Sequence, residues 1–179
     1  MNQDSFLFPI ENIEPRHSVR LNLELKNLTD LKHFVDGSNA KIYTFSFKNI
    51  PQREVAKLIN YGLSDEKAAT AIKEFRIETE ILLRCQHPNI VKILGVGHVP
   101  QIFMCLEYLQ AGTLQDMMLS EKKRGISGFI SRLIKTSDNK TEKVVRLSVE
   151  LASALKYLHD DFHPDASIIH RGILSLFEK

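Results

Sequence analysis

One stretch, Phe75 to Gly97 (FRIETEILLRCQHPNIVKILGVG), constrains the fold more than any other part of the chain. In its first half Phe75, Leu82 and Leu83 recur with charges between them, a spacing that predicts one apolar face on a helix. The period stops at Gln86-His87-Pro88-Asn89, because a proline drives the residue before it out of helical geometry. The β-branched run Ile90-Val91-Lys92-Ile93 then predicts a strand. A helix is thereby pinned against a sheet, with Glu78 mid-helix among apolar neighbours. A carboxylate so placed requires a cation on a facing element.

The strands upstream supply one. Leu31 to Val35 leads into Asp36-Gly37-Ser38-Asn39, a turn signal, and Ile42 to Phe47 alternates with period two. Asn49-Ile50-Pro51-Gln52 predicts a second turn, and Glu54 to Ile59 a third strand. On it Val55, Lys57 and Ile59 share a face, since successive side chains alternate. A lysine between two apolar neighbours commonly lays its stem along them and reaches for water. Glu78 gives Lys57 a reason to turn inward instead. Residues 1–30 have no clean period and are expected to form an N-terminal extension with one short strand.

Ser64 followed by Asp65 and Glu66 predicts an N-cap with acids in the first turn, and a helix that runs through Ala68, Ile72 and Phe75 to about Arg84. Ile102 to Leu106 is apolar on both faces, as a central strand must be. Glu107 to Gly112 reads as a connector and Thr113 to Met118 as a short helix. Over residues 119–143 the cations Lys122, Lys123, Arg124, Arg132, Lys135, Lys140 and Lys143 outnumber the acids, while Phe129, Ile130, Leu133 and Ile134 share a helical face. Such a segment can bind a membrane or a partner, and is more often a solvated insertion lying on its own domain. Val144, Leu147, Leu151, Leu155 and Leu158 predict a further amphipathic helix from Thr141 to about His159, and Ile168 to Arg171 a last short strand.

Apolar residues make up 43% of the 179, enough to bury a core. A formal charge of +2 gives no reason to expect nucleic acid as a partner. Cys85 and Cys105 both lie in apolar surroundings, which suits buried thiols in a reducing compartment. The N-terminus lacks a basic leader region and no apolar run reaches membrane-span length, so a cytoplasmic or nuclear location is expected. His159 and His163 stand at helical spacing, but Pro164 ends the helix beside them, and no metal site is expected.

Taken together, the ordered set Phe75-x-x-Glu78…His87-Pro88-Asn89-Ile90-Val91, Leu106-Glu107-Tyr108-Leu109…Gly112-Thr113-Leu114 and Tyr157-Leu158-His159…Ile169-His170-Arg171 resembles the protein kinase family. The resemblance covers roughly residues 31–171. It implies an α+β fold: a small lobe of five antiparallel strands and one main helix, with its hinge, over 31–109. The first helices of an incomplete large lobe then follow over 110–171, with the basic insertion 119–143 inside them, and 172–179 departs from the family. By resemblance Lys57 grips the α- and β-phosphates of ATP and Glu78 orients it. Leu106 would be the gatekeeper, and Glu107 and Leu109 would offer a main-chain carbonyl and N–H to the adenine edge. Ile42, Val55 and Val35 would sandwich the purine, and Leu82 and His170 would belong to the apolar stack joining the lobes.

The departures carry equal weight. Of the family's glycine-rich loop only Gly37 survives in Val35-Asp36-Gly37-Ser38-Asn39-Ala40-Lys41-Ile42, so the backbone approaches phosphates less closely. Val55 replaces the alanine of Val-Ala-Ile-Lys and narrows the purine slot, so weak ATP binding is expected. After His170-Arg171, the remnant of the catalytic loop, Gly172 stands where the family has the aspartate that takes the substrate proton. The Mg-binding residues have no counterpart in this chain, and it is expected to be catalytically inactive. Three readings follow: an incomplete kinase whose family phosphorylates protein serine and threonine, a pseudokinase-like module that binds nucleotide or a partner kinase, and a basic peripheral-binding protein acting through 119–143. An uncovered helix in the large-lobe part would favour self-association.

Overall fold

Six strands among the described residues join in one sheet, in the order β1-β5-β6-β4-β3-β2. The computed structural model describes residues 19–37, 39–60, 65–112, 137–162 and 167–168. The strands are β1 (Arg20–Glu24), β2 (Leu28–Asp36), β3 (Ala40–Phe47), β4 (Ile50–Ile59), β5 (Ile93–Val99) and β6 (Phe103–Glu107). Helix α1 (Asp65–Arg84) lies between β4 and β5 in sequence, and α2 (Ser137–Lys156) follows β6. The chain divides into two units: Met1–Gln86 with Ile90–Tyr108, and His87–Asn89 with Leu109–Lys179.

In the first unit the α+β class is as the motifs imply, and the short strand expected in the N-terminal extension joins the five of the implied lobe as a sixth. β1 falls in the N-terminal extension and joins β5 in parallel, whereas every other neighbouring pair is antiparallel. Two glycines admit it. A Cβ on Gly97 would overlap the carbonyl oxygen of Leu23 and the Phe103 ring, and one on Gly95 would meet the Leu23 side chain. That close approach is available only where there is no side chain.

The strand expected at Ile90 begins instead at Ile93. The Lys92 N–H donates to Glu107 Oε1 at 2.9 Å, and the Glu107 N–H donates to the Lys92 carbonyl at 3.0 Å. A side chain thus takes the place of a ladder partner just before the strand proper. The third expected strand is longer, opening at Ile50, because the preceding turn is only Lys48-Asn49, with Asn49 at φ 68°. Asparagine tolerates that left-handed geometry. Pro51 is admitted because the β3–β4 register shifts between Ser46 and Phe47 and β6 pairs only from Glu54 onward. The first hairpin strand likewise starts early, at the buried Leu28 rather than Leu31.

Helix α1 spans Asp65–Arg84, ending where the sequence pattern stops, and Cys85 falls just beyond it. The N-cap expected at Ser64 lies outside the described residues. Ala71, Phe75, Thr79, Leu82 and Leu83 form its buried stripe. Phe75, Leu82 and Leu83 pack with Ile59, Ile93, Val96, Ile102 and Met104 in one core, against which Leu106 also packs. Thr79 is fully buried, and its hydroxyl donates to the Phe75 carbonyl at 2.7 Å. A second core holds Leu28, Phe45, Phe47, Ala56, Leu58, Phe103 and Cys105, partly covered by Leu23 and Leu25. The odd and even positions of β4 divide between these cores, as strand alternation requires. Both cysteines are buried and neither is in a disulfide, and burial pushes the Cys105 thiol up to about 12.

In the second unit α2 starts four residues before the expected Thr141 and passes into a π-type turn, Tyr157–Asp161. Among its described side chains Ala154 is buried and Leu147 and Leu155 are half-buried, as is Leu158 of the turn, while Val144 and Leu151 are 57% and 45% exposed. The face that makes contacts is therefore rotated from the leucine stripe. The His87–Asn89 segment sits against it: the His87 ring stacks on Tyr157 at 5.2 Å, and Asn89 Nδ2 donates to the Glu150 carbonyl at 3.0 Å. Because the Asn89 N–H donates to His87 Nδ1, the proton of the neutral ring lies on Nε2, which faces Ser153 Oγ at 3.1 Å. Ile168 is not in a strand; its N–H donates to the Leu158 carbonyl. The short helix expected at Thr113 to Met118, residues 119–136 of the basic insertion and Ile169 to Lys179 lie outside the described residues.

Candidate functional site

Register brings the candidate side chains to one face of the sheet. Lys57 on β4 is paired with Ile42 on β3 and with Met104 on β6, and Val55 is paired with Thr44 and Leu106. Directly paired residues point the same way, so Ile42, Val55, Lys57 and Leu106 share the α1 side. The Lys57 Nζ donates to Glu78 Oε2 at 2.5 Å. The lysine side chain is 24% exposed and the glutamate 41%, so the pair is partly screened by solvent. Lys57 turns to the helix rather than to water.

A cavity of about 350 Å³ opens beside this pair. It is lined by Gly37, Asn39, Ala40 and Ile42 from the first hairpin, by Lys57, and by Ala71, Glu74, Phe75 and Glu78 of α1. Of the sequence candidates it thus gathers Gly37, Ile42, Lys57 and Glu78. Val55, on β4 with Lys57, and Leu106 and Glu107 on β6 do not line it. Val35 is paired with Ile42 but is largely exposed. Leu82 lies in the core under α1. Leu109, in the second unit, is exposed. His170 and Arg171 are outside the described residues.

Sequence pattern alone assigns no site role to Asn39, Glu74 or Glu54. Asn39 Nδ2 donates to Glu74 Oε2 at 2.9 Å, which ties the β2–β3 turn to α1 over the cavity lining. The spacing of Glu74 and Glu78, one turn apart on a helix, was the available signal. Glu54 is the third: it is 5% exposed, stands opposite Glu107 across β4 and β6, and its Oε2 accepts the Tyr108 N–H at 3.3 Å. Burial pushes its carboxyl above the usual carboxylate range; the Tyr108 N–H and Arg20 pull it back, while Glu107 adds to the rise.

A family model for the protein tyrosine and serine/threonine kinase domain matches residues 28–175. The chain belongs to the protein kinase family. Its relatives include "Probable serine/threonine-protein kinase PBL28" of Arabidopsis thaliana, 30% identical over 140 residues that cover 78% of this chain and 33% of the relative. Another is "Serine/threonine/tyrosine-protein kinase HT1" of the same plant, 28% identical over 145 residues, covering 79% and 32%. The human "Serine/threonine-protein kinase 10" is 29% identical over 139 residues, covering 77% of this chain and 12% of the relative. The chain thus spans a third or less of the length of these kinases. Within the kinase fold the described strands and α1 are the small lobe, and the Lys57–Glu78 pair sits under its first hairpin. Among the described residues no helix is long and apolar enough to cross a membrane.

Proposed function

We propose that the cavity beside Lys57 is a purine nucleotide site of the kinase type, and that this chain binds nucleotide without transferring its phosphoryl group. The ion pair between Lys57 and Glu78 carries the proposal: an ammonium anchored by a carboxylate offers phosphate a cation in a fixed place, which a free lysine does not. Ile42, Val55 and Leu106, on the same sheet face, supply apolar surface for a purine, and Glu107 a main-chain carbonyl for its edge.

The charge of the lining bears on affinity. One ammonium stands against two carboxylates, Glu74 and Glu78, so these side chains do not balance a triphosphate. The nucleotide must bring its own counter-cation, and weak binding is the expectation. ATP with a divalent cation would fit where free ATP would be repelled. Turnover is a separate matter. Gly172 has no side chain to take a proton from a protein serine or threonine hydroxyl, the acceptor named for the relatives. A general base is worth about 10²–10⁴-fold in rate.

Thermal denaturation of the 179-residue chain with ATP and Mg²⁺ tests binding: stabilisation that rises with nucleotide and is lost in Lys57→Met is expected. No ATP-dependent shift would reject the nucleotide site. Radiolabel transfer to itself or to a protein substrate, absent in Lys57→Met, would reject the inactivity.

A further inference from the structure

Glu54 is the one carboxylate buried deep in the described sheet, and it lies on the face away from the cavity. It is 5% exposed and is paired in register with Glu107, so two like charges sit side by side where opposition is unfavourable. The arrangement persists because each carboxylate is used. Glu107 Oε1 accepts the Lys92 N–H at 2.9 Å, which holds the entrance of β5, and Glu54 Oε2 accepts the Tyr108 N–H at 3.3 Å, just past the end of β6. Arg20 of β1, whose guanidinium lies 4.3 Å from the centre of the Phe47 ring, adds a nearby positive charge that favours the ionised Glu54. The N–H that Glu54 holds belongs to the peptide joining Glu107 to Tyr108. In a trans peptide the carbonyl points opposite to that N–H, so fixing one fixes the other.

We infer that Glu54 is a positioning residue of the nucleotide site: by holding the Tyr108 N–H from behind the sheet, it sets the direction of the Glu107 carbonyl that would meet the base edge. The inference rests on the nucleotide reading above for its consequence, but the tether itself can be read without any ligand. Glu54 acts on the base end of the ligand and leaves the phosphate end, which belongs to Lys57, untouched.

Two variants separate an acceptor from mere bulk. Glu54→Gln keeps an oxygen for the Tyr108 N–H, and Glu54→Leu removes it. In the full chain the Tyr108 amide should be protected from hydrogen exchange, and Glu54→Leu should speed its exchange about tenfold or more while Glu54→Gln does not. Adenosine should bind Glu54→Leu about fivefold or more weakly, with Glu54→Gln restoring it. Inorganic tripolyphosphate, read through Lys57, should bind all three proteins alike. An unprotected Tyr108 amide in the unaltered chain, or equal exchange in Glu54→Leu, overturns the tether, and the first needs no variant to fold. If exchange behaves as expected but the unaltered chain does not bind adenosine, the tether stands and its role in a nucleotide site is overturned.

Discussion

Ile42 is the register partner of Lys57 across β3 and β4, and that pairing places the residue next to the lysine on the hairpin whose turn carries Gly37. The lysine is thus fixed at both ends, its backbone by the ladder and its ammonium by Glu78.

Because the Lys57–Glu78 pair is partly open to solvent, its own contribution to folding is about 0–1 kcal/mol. Lys57→Met should therefore leave the urea midpoint almost unchanged while weakening binding of ATP with Mg²⁺ about tenfold or more. Equilibrium unfolding beside fluorescent-nucleotide titration checks both halves. A large loss of stability would mean the pair is structural.

Gly97→Ala places a methyl group against the Leu23 carbonyl and the Phe103 ring. Overpacking of that kind costs about 1–3 kcal/mol, and here it should fall first on β1. Hydrogen exchange ought to show the Arg20 to Glu24 amides losing protection before those of β6. Uniform loss across the sheet would contradict a separately docked strand.

His87→Ala removes a ring stack on Tyr157 and a hydrogen bond at Ser153 together. The expected loss is about 1–2 kcal/mol, felt as faster exchange in α2. His87→Phe should recover the stacking part only. Equal stability for all three proteins would show that this contact contributes nothing.

Glu54 predicts a pH effect of definite sign. Its folded carboxyl titrates above the ordinary value, first because of burial and further because of Glu107. Between the ordinary and the raised value the folded chain holds more protons than the unfolded one. Its contribution is complete below the ordinary carboxylate value and declines as pH rises through the raised one. Denaturant melts from pH 4 upward should therefore show Glu54→Gln gaining on the unaltered chain as pH increases. A gain in the opposite direction would contradict burial as the dominant cause.

What local pattern encodes was legible in the sequence itself. The α1 boundary at Arg84, the central place of β6, and a lysine on β4 aimed at Glu78 all follow from periodicity, proline and the need to pair a charge. Those signals act within a few residues of one another or through a strong chemical demand. The start of β5 at Ile93 was not legible, since Gly95 and Gly97 look unlike a strand until Leu23 is seen to occupy the space they leave. Glu54 gave no sign either: as one acid in a polar-looking run it became buried only when Glu107 and Tyr108 arrived from far along the chain. Local pattern, with the need to pair a charge, determined most of the elements, the family and the charge pair of this protein. Strand register and close backbone approach, which depend on segments distant in sequence, decided which carboxylate holds the Tyr108 N–H and how the sixth strand joins the sheet.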